Sequence, residues 1–167
     1  MSDSRAWSVW SNPPLFYGKR FVWNDARFHA AEIPAVNAIT TARSMARFYS
    51  RLPVGDADAD GFLEPDLLRE ATTEQSQGRD PFSDYPFRFG LGFQLQNEVG
   101  QFGPSSLAFG HGGAGGSTHG AWPESRVAFS YVMNQMRGDL KDARALSLLD
   151  ALADSVPLGA RRGGGRP

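Results

Sequence analysis

Between residues 40 and 52 the apolar positions Ala42, Met45, Ala46, Tyr49 and Leu52 recur at steps of three and four. That spacing puts them on one face of a helix. Thr40 or Thr41 can cap it, and Pro53 stops it. A short second helix is predicted over residues 65–74, with Pro65 in its first turn and Asp66 near its positive end. An acidic loop, 54–64, precedes it, and a second loop with Gly78, Pro81 and Pro86 follows over 75–86. The period then changes from helical to alternating. Residues 87–98 partly alternate and are rich in Phe, and residues 106–111 are short and apolar. Residues 117–122 and 126–133 flank Pro123-Glu124-Ser125, a tight turn, and predict an antiparallel hairpin. A last helix is predicted over 139–154, capped by Asp139, with an apolar stripe of Leu140, Ala143, Leu146, Leu149, Leu152 and Ala153. Residues 1–34 show no such period. They hold Trp7, Trp10, Phe16, Tyr17, Phe21, Trp23 and Phe28 among several prolines, and read as an irregular segment that packs its rings against something large. No internal repeat is present.

Composition narrows the class. A chain of 167 residues is one domain or part of a larger one, and 41% hydrophobic with 21% charged residues is a globular balance. Seventeen basic against 18 acidic side chains give a net charge of −1, so nothing favours binding to a nucleic-acid backbone. The absence of cysteine excludes disulfides, thiolate metal ligands and a Cys nucleophile. Only two of the basic residues are lysines, Lys19 and Lys141, so any lysine chemistry must use one of them. The first residues lack the basic start and apolar run of a secretory signal, and no stretch reaches the ~20 apolar residues that span a bilayer. The expected location is therefore cytoplasmic, with no membrane partner. Residues 159–167, rich in Gly and Arg, read as a disordered tail.

The most unusual feature is the run from Gly110 to Ser117, with five glycines in the seven positions 110–116. Gly110, Gly112 and Gly115 fit G-x-G-x-x-G, but a dinucleotide site needs a helix after the loop and a strand follows here. No Lys follows, as a Walker loop would require. Five glycines exceed the needs of one turn, and close approach of backbone to a ligand explains them better than a plain turn does. Ser117 is no nucleophile elbow, since G-x-S-x-G needs Gly where His119 stands. Asp56, Asp58 and Asp60 open like a calcium loop, but the twelfth position is Leu67 rather than Glu, which favours an acidic surface loop. His111 and His119, with His29 from elsewhere, are metal candidates whose spacing matches no common zinc pattern. Tyr131 reads as a sheet residue.

The run Phe109-Gly110-His111-Gly112-Gly113-Ala114-Gly115-Gly116-Ser117 is followed by Trp122-Pro123-Glu124 and by the segment from Val127 to Met136. Together they resemble the carboxyl-terminal part of the serine β-lactamase-related family, notably esterases built like class C β-lactamases. Residues 31–37, 41–49 and 89–93 resemble it too, so the likeness runs from about residue 12 to residue 153. It implies an α+β fold: a partial antiparallel sheet flanked by helices, an incomplete form of the fold shared with penicillin-binding proteins. One portion of such a domain would fill residues 1–158. The family hydrolyses acyl groups through a serine in Ser-x-x-Lys and a tyrosine in Tyr-x-Asn or Tyr-x-Ser. A third element, Lys-Thr-Gly or in the esterase-like branch His-Gly-Gly, lies on the strand edging the site. By resemblance His111-Gly112-Gly113 is that element, and the Ala114 N–H is one of two oxyanion donors. No metal or organic cofactor is implied.

The other two elements do not occur in these residues. Phe16 and Gly138 stand three positions before the two lysines, and no tyrosine has Asn or Ser two positions on. The chain therefore reads as the last part of a serine hydrolase, inactive alone, with a small ester or amide as the substrate of the completed site. The alternative is a non-catalytic ligand- or partner-binding module. Family strands that close the sheet beside residues 127–134 would also be missing, which leaves an apolar edge open to self-association.

Overall fold

The computed structural model describes residues 22–34, 36, 38–52, 62–81, 83–137 and 142–156. They divide into two compact units, one reaching to Thr40 and including Pro81–Asp84, the other holding Thr41–Asp80 and the chain from Tyr85 on. The expected tail and residues 54–61 of the expected acidic loop lie outside the described residues, as does most of the aromatic amino-terminal segment.

In the first unit a 3₁₀ turn, Val22–Asn24, leads into α1, Ala26–Ala30. Asp25 caps that helix by accepting the Arg27 N–H at 2.9 Å. Trp23 and Phe28 meet edge to face, with ring centroids 4.9 Å apart. His29 donates from Nε2 to the Trp23 carbonyl at 2.6 Å.

The second unit is built on a meander. Helix α2, Ala42–Ser50, starts where Thr41 Oγ1 accepts the Ser44 N–H at 3.2 Å. Helix α3 spans Pro65–Ala71 and buries Leu68 and Ala71. Six strands follow among the described residues: β1 Ser76–Arg79, β2 Pro86–Phe89, β3 Gln94–Leu95, β4 Phe109–Gly112, β5 Thr118–Trp122 and β6 Val127–Tyr131. Each pairs antiparallel with the next, so sheet order equals chain order and β6 lies at one edge. Helix α4, Arg144–Ser155, closes the unit.

Three elements differ from the sequence reading. The loop expected over 75–86 contains β1, which pairs with β2 from Ser76 opposite Phe89 to Arg79 opposite Pro86. Its sequence, Ser76-Gln77-Gly78-Arg79, is exposed throughout and has no apolar alternation to announce it. The single strand expected over 87–98 is split into β2 and β3. Gly92 has a φ of +81° and reverses the chain, while the Gly90 N–H donates to the Phe93 carbonyl at 2.9 Å. Helix α4 begins at Arg144 rather than 139, and Asp139 lies outside the described residues. Asp142 accepts the Arg144 N–H at 3.2 Å at this end of the helix.

The pleat sorts the side chains onto two faces. One carries Leu95, Phe109 and Ala121 against Tyr49, Leu52 and Leu68 of the α2–α3 layer. The other carries Trp122 and Phe129 against Leu149 and Ala153 of α4. Trp122 is completely buried, and its indole N–H donates to the Phe102 carbonyl at 2.6 Å. Gln96 binds the same loop, accepting the Phe102 N–H at 3.1 Å and donating to the Ser105 carbonyl at 3.0 Å. No helix among the described residues is long and apolar enough to cross a membrane.

Trp122→Ala removes the largest fully buried side chain and leaves the Phe102 carbonyl without its donor. The expected loss is about 3–5 kcal/mol, read as a fall in the urea midpoint, with Trp122→Phe intermediate.

Candidate functional site

The β4–β5 hairpin carries the glycine run, and its glycines do not all serve the same end. At Gly110 a Cβ would stand 2.0 Å from the His119 carbonyl oxygen and 2.7 Å from Gly120 Cα, so the two strands meet too closely for any side chain. Gly115 and Gly116 have φ of +88° and +110°, which glycine adopts freely. At Gly113 only the Ser117 hydroxyl is near, at 2.2 Å, a contact that a rotamer change relieves. At Gly112 nothing lies closer than 3.7 Å. The scaffold thus demands three of the five glycines, and the two it does not demand are those of His111-Gly112-Gly113.

The loop between the strands is ordered by its own backbone. The Gly113 N–H donates to Ser117 at 2.9 Å, and the Gly116 N–H to Gly113 at 3.2 Å. Ala114 is exposed at the tip, and among the described residues no hydrogen bond engages its N–H. Gln94 of β3 accepts the Gly112 N–H with its side-chain carbonyl at 2.9 Å.

The register lines up a polar row. His111 lies opposite His119, and His119 opposite Ser130. Each stands two residues from Phe109, Ala121 or Ala128, on the α2–α3 face of the sheet. His111 is exposed; its Nδ1–H donates to the Gly112 carbonyl at 2.6 Å, and its ring lies 6.5 Å from that of Phe89. His119 is half-buried with Nδ1 2.7 Å from Ser130 Oγ. Burial, and then the neighbouring His111, push the His119 imidazole below its usual pKa of 6.5. Sequence reasoning missed Gln94 and Ser130. The second was within reach, because a turn closing Trp122 onto Val127 also sets His119 opposite Ser130.

An arginine ties the hairpin to the last helix. Arg144 donates to the Gly115 carbonyl at 3.2 Å and to the Gln135 carbonyl at 3.0 Å, and its Nε meets both Asp142 oxygens at 2.8 and 2.9 Å. Chiefly this hydrogen bonding holds the Asp142 carboxyl down to about 2.

The remaining candidates separate. His29 belongs to the other unit, and Asp56, Asp58 and Asp60 lie outside the described residues. Leu67 is exposed on α3, and Tyr131 is half-buried at the end of β6. Among the described residues no group of three or more His, Cys, Asp or Glu is placed to hold a metal. A cleft of about 540 Å³ opens beside Leu68, Arg88, Phe109 and Glu124, and His111 does not line it.

An antiparallel sheet with helical layers on both faces is the sheet side of a serine β-lactamase-like fold. The family model described as Beta-lactamase matches residues 3–153, and the chain belongs to that family. It is 36% identical over 120 residues to the esterase/beta-lactamase LipL of Mycobacterium tuberculosis (strain ATCC 25618 / H37Rv), covering 71% of this chain and 27% of LipL. Two solved structures share the fold. One is a novel penicillin-binding protein homolog from Caulobacter crescentus, with a TM-score of 0.72 and 34% identity, covering 80% of this chain and 36% of the other. The second is a family VIII carboxylesterase, with a TM-score of 0.68 and 31% identity, covering 79% and 35%. The chain thus spans little more than a quarter of the curated relative and about a third of the solved ones.

The clamp generates a pH signature. The folded Asp142 carboxyl titrates at about 2 against an ordinary 3.8, so its contribution is complete above about pH 4 and is lost as pH falls toward 2. Asp142→Asn therefore melts below the wild type near neutral pH, and the gap closes between about pH 4 and pH 2 in circular dichroism. A gap undiminished at the acid end would show that the carboxylate charge is not what holds the loop.

Proposed function

We propose that this chain forms the substrate-facing sheet wall of a serine acyl hydrolase, with the nucleophile and base supplied from outside these 167 residues. One observation carries the reading: His111-Gly112-Gly113 at the exposed end of β4, with glycines the scaffold does not require, runs into an Ala114 N–H that no hydrogen bond engages among the described residues. A carbonyl substrate laid along this strand end meets backbone rather than side chain. When a serine oxygen adds to that carbonyl, the oxyanion formed accepts the Ala114 N–H. Collapse expels the alcohol and leaves an acyl-serine, which water then cleaves to the acid. An imidazole rather than a lysine ammonium at position 111 replaces a permanent cation, which suits uncharged esters better than anionic β-lactams.

In the same reading the outer edge of β6 receives the strands that complete the sheet, and self-associates without them. The completed enzyme acts in the cytoplasm on a small ester or amide, without metal or organic cofactor.

The chain alone is expected to show no saturable turnover of p-nitrophenyl butyrate or nitrocefin. Co-expressed with the amino-terminal part of a family esterase that carries Ser-x-x-Lys and the tyrosine motif, it hydrolyses the ester. Ala114→Pro, which removes the N–H, then lowers kcat about 10²–10³-fold. Turnover by the lone chain that disappears in His111→Ala would overturn the division of labour. A stable monomer that binds acyl ligands but supports no turnover in the co-expressed pair would establish a binding module instead.

A further inference from the structure

We propose that His111 and His119 form a two-histidine site for a labile divalent transition-metal ion, with Cu²⁺ bound in preference to Zn²⁺ or Ni²⁺. The argument begins with register. The two residues are direct partners across β4 and β5, on the same face of the sheet. Side chains so placed have Cβ atoms about 4.5–5.5 Å apart. Two imidazoles at that spacing can converge on one ion, each nitrogen about 2.0–2.1 Å from it.

The second step is the state of the ring nitrogens. A carbonyl oxygen only accepts, so His111 must carry its proton on Nδ1 to bond the Gly112 carbonyl at 2.6 Å. In the neutral ring that tautomer leaves Nε2 with the lone pair. His119 turns Nδ1 to the Ser130 hydroxyl, 2.7 Å away, and a hydroxyl can accept that N–H. Each histidine thus engages one nitrogen with an outer partner and leaves the other for coordination. Metal-binding histidines are held in this way, and the outer partner fixes the tautomer and ring orientation. His111 is exposed, so the ion enters from solvent.

The donor set decides which ion. Cysteine is absent from the chain, and the third histidine, His29, belongs to the other unit with Nε2 committed to the Trp23 carbonyl. Among the described residues no carboxylate joins the pair to make a group of three. Water must fill the remaining positions. Such a site is too sparse for a structural zinc ion and offers little to Ca²⁺ or Mg²⁺, which need oxygen ligands. Two imidazoles with open positions follow the affinity order in which Cu²⁺ stands highest. The site rests on the histidine geometry alone and does not depend on the acyl-hydrolase reading.

The test is calorimetric titration of the full chain with Cu²⁺ alone near pH 7.5, joined to electron paramagnetic resonance of the bound ion. One ion per chain is expected, with two imidazole nitrogens in its coordination plane. His111→Ala, at an exposed position, is expected to weaken binding about 100-fold with the circular dichroism spectrum unchanged. Ser130→Ala, which frees the His119 ring, weakens it about 10-fold. His29→Ala leaves the affinity unchanged. Wild-type affinity in His111→Ala, or loss of binding in His29→Ala, overturns the proposal. If His119→Ala fails to fold, the His111 and His29 variants still decide.

Discussion

The backbones of β4 and β5 meet at Gly110 more closely than any side chain allows. A Cβ there would sit 2.0 Å from the His119 carbonyl oxygen, and one at Gly120 would sit 2.5 Å from the Phe109 carbonyl oxygen. This reciprocal approach seats the two strands in a single register, and much else in the unit follows from it. A slip of one residue would turn every side chain on the hairpin to the opposite face. Phe109 and Ala121 would leave the α2–α3 core, and Trp122 would leave its pocket beside Phe102. In the observed register both faces of the sheet bury their apolar residues at once. The same register places His111, His119 and Ser130 in one row and carries the His-Gly-Gly strand end out to solvent.

A second constraint acts at the hairpin tip. Gly115 and Gly116 take left-handed backbone that leaves the Gly115 carbonyl pointing toward the last helix, where Arg144 and the Arg137 N–H both reach it at 3.2 Å. Asp142 in turn orients the guanidinium. The loop beside the candidate site is therefore fixed by a side chain some 29 residues further along the chain. Preorganisation of this kind fits the proposed oxyanion role of the Ala114 N–H, because an oxyanion donor works by being already in place.

Much of the architecture was legible from residue pattern. The stripe through Ala42, Met45 and Tyr49, the Thr41 cap, the Pro65 start and the Pro123 turn each yielded the element the structure shows, because each rests on a local rule. The family likeness was legible as well, carried by the glycine run and the segments around it, and the match over residues 3–153 confirms it. Strand β1 was not legible, since an exposed four-residue strand owes its existence to its partner β2 rather than to its own side chains. The break between β2 and β3 was hidden for a related reason. Gly90 is demanded by the end of α3, where a Cβ would stand 2.1 Å from the Ala71 carbonyl oxygen, and no local pattern reports a contact with a distant helix.

The sequence by itself determined where the helices at Ala42 and Pro65 and the Pro123 turn begin, which faces are apolar, and that a glycine-rich strand end follows His111. Those properties depend on neighbours within a few residues, and local periodicity records them. Tertiary structure alone decided what each glycine is for. Composition assigned the run as a whole to ligand approach, whereas the packed strands claim Gly110, the turn claims Gly115 and Gly116, and only Gly112 and Gly113 remain open. It also decided that two histidines eight positions apart in the chain stand opposite each other while His29 belongs to the other unit. The physical reason is common to both: steric fit and side-chain juxtaposition across strands are set by register, and register is a property of pairs of segments rather than of either one.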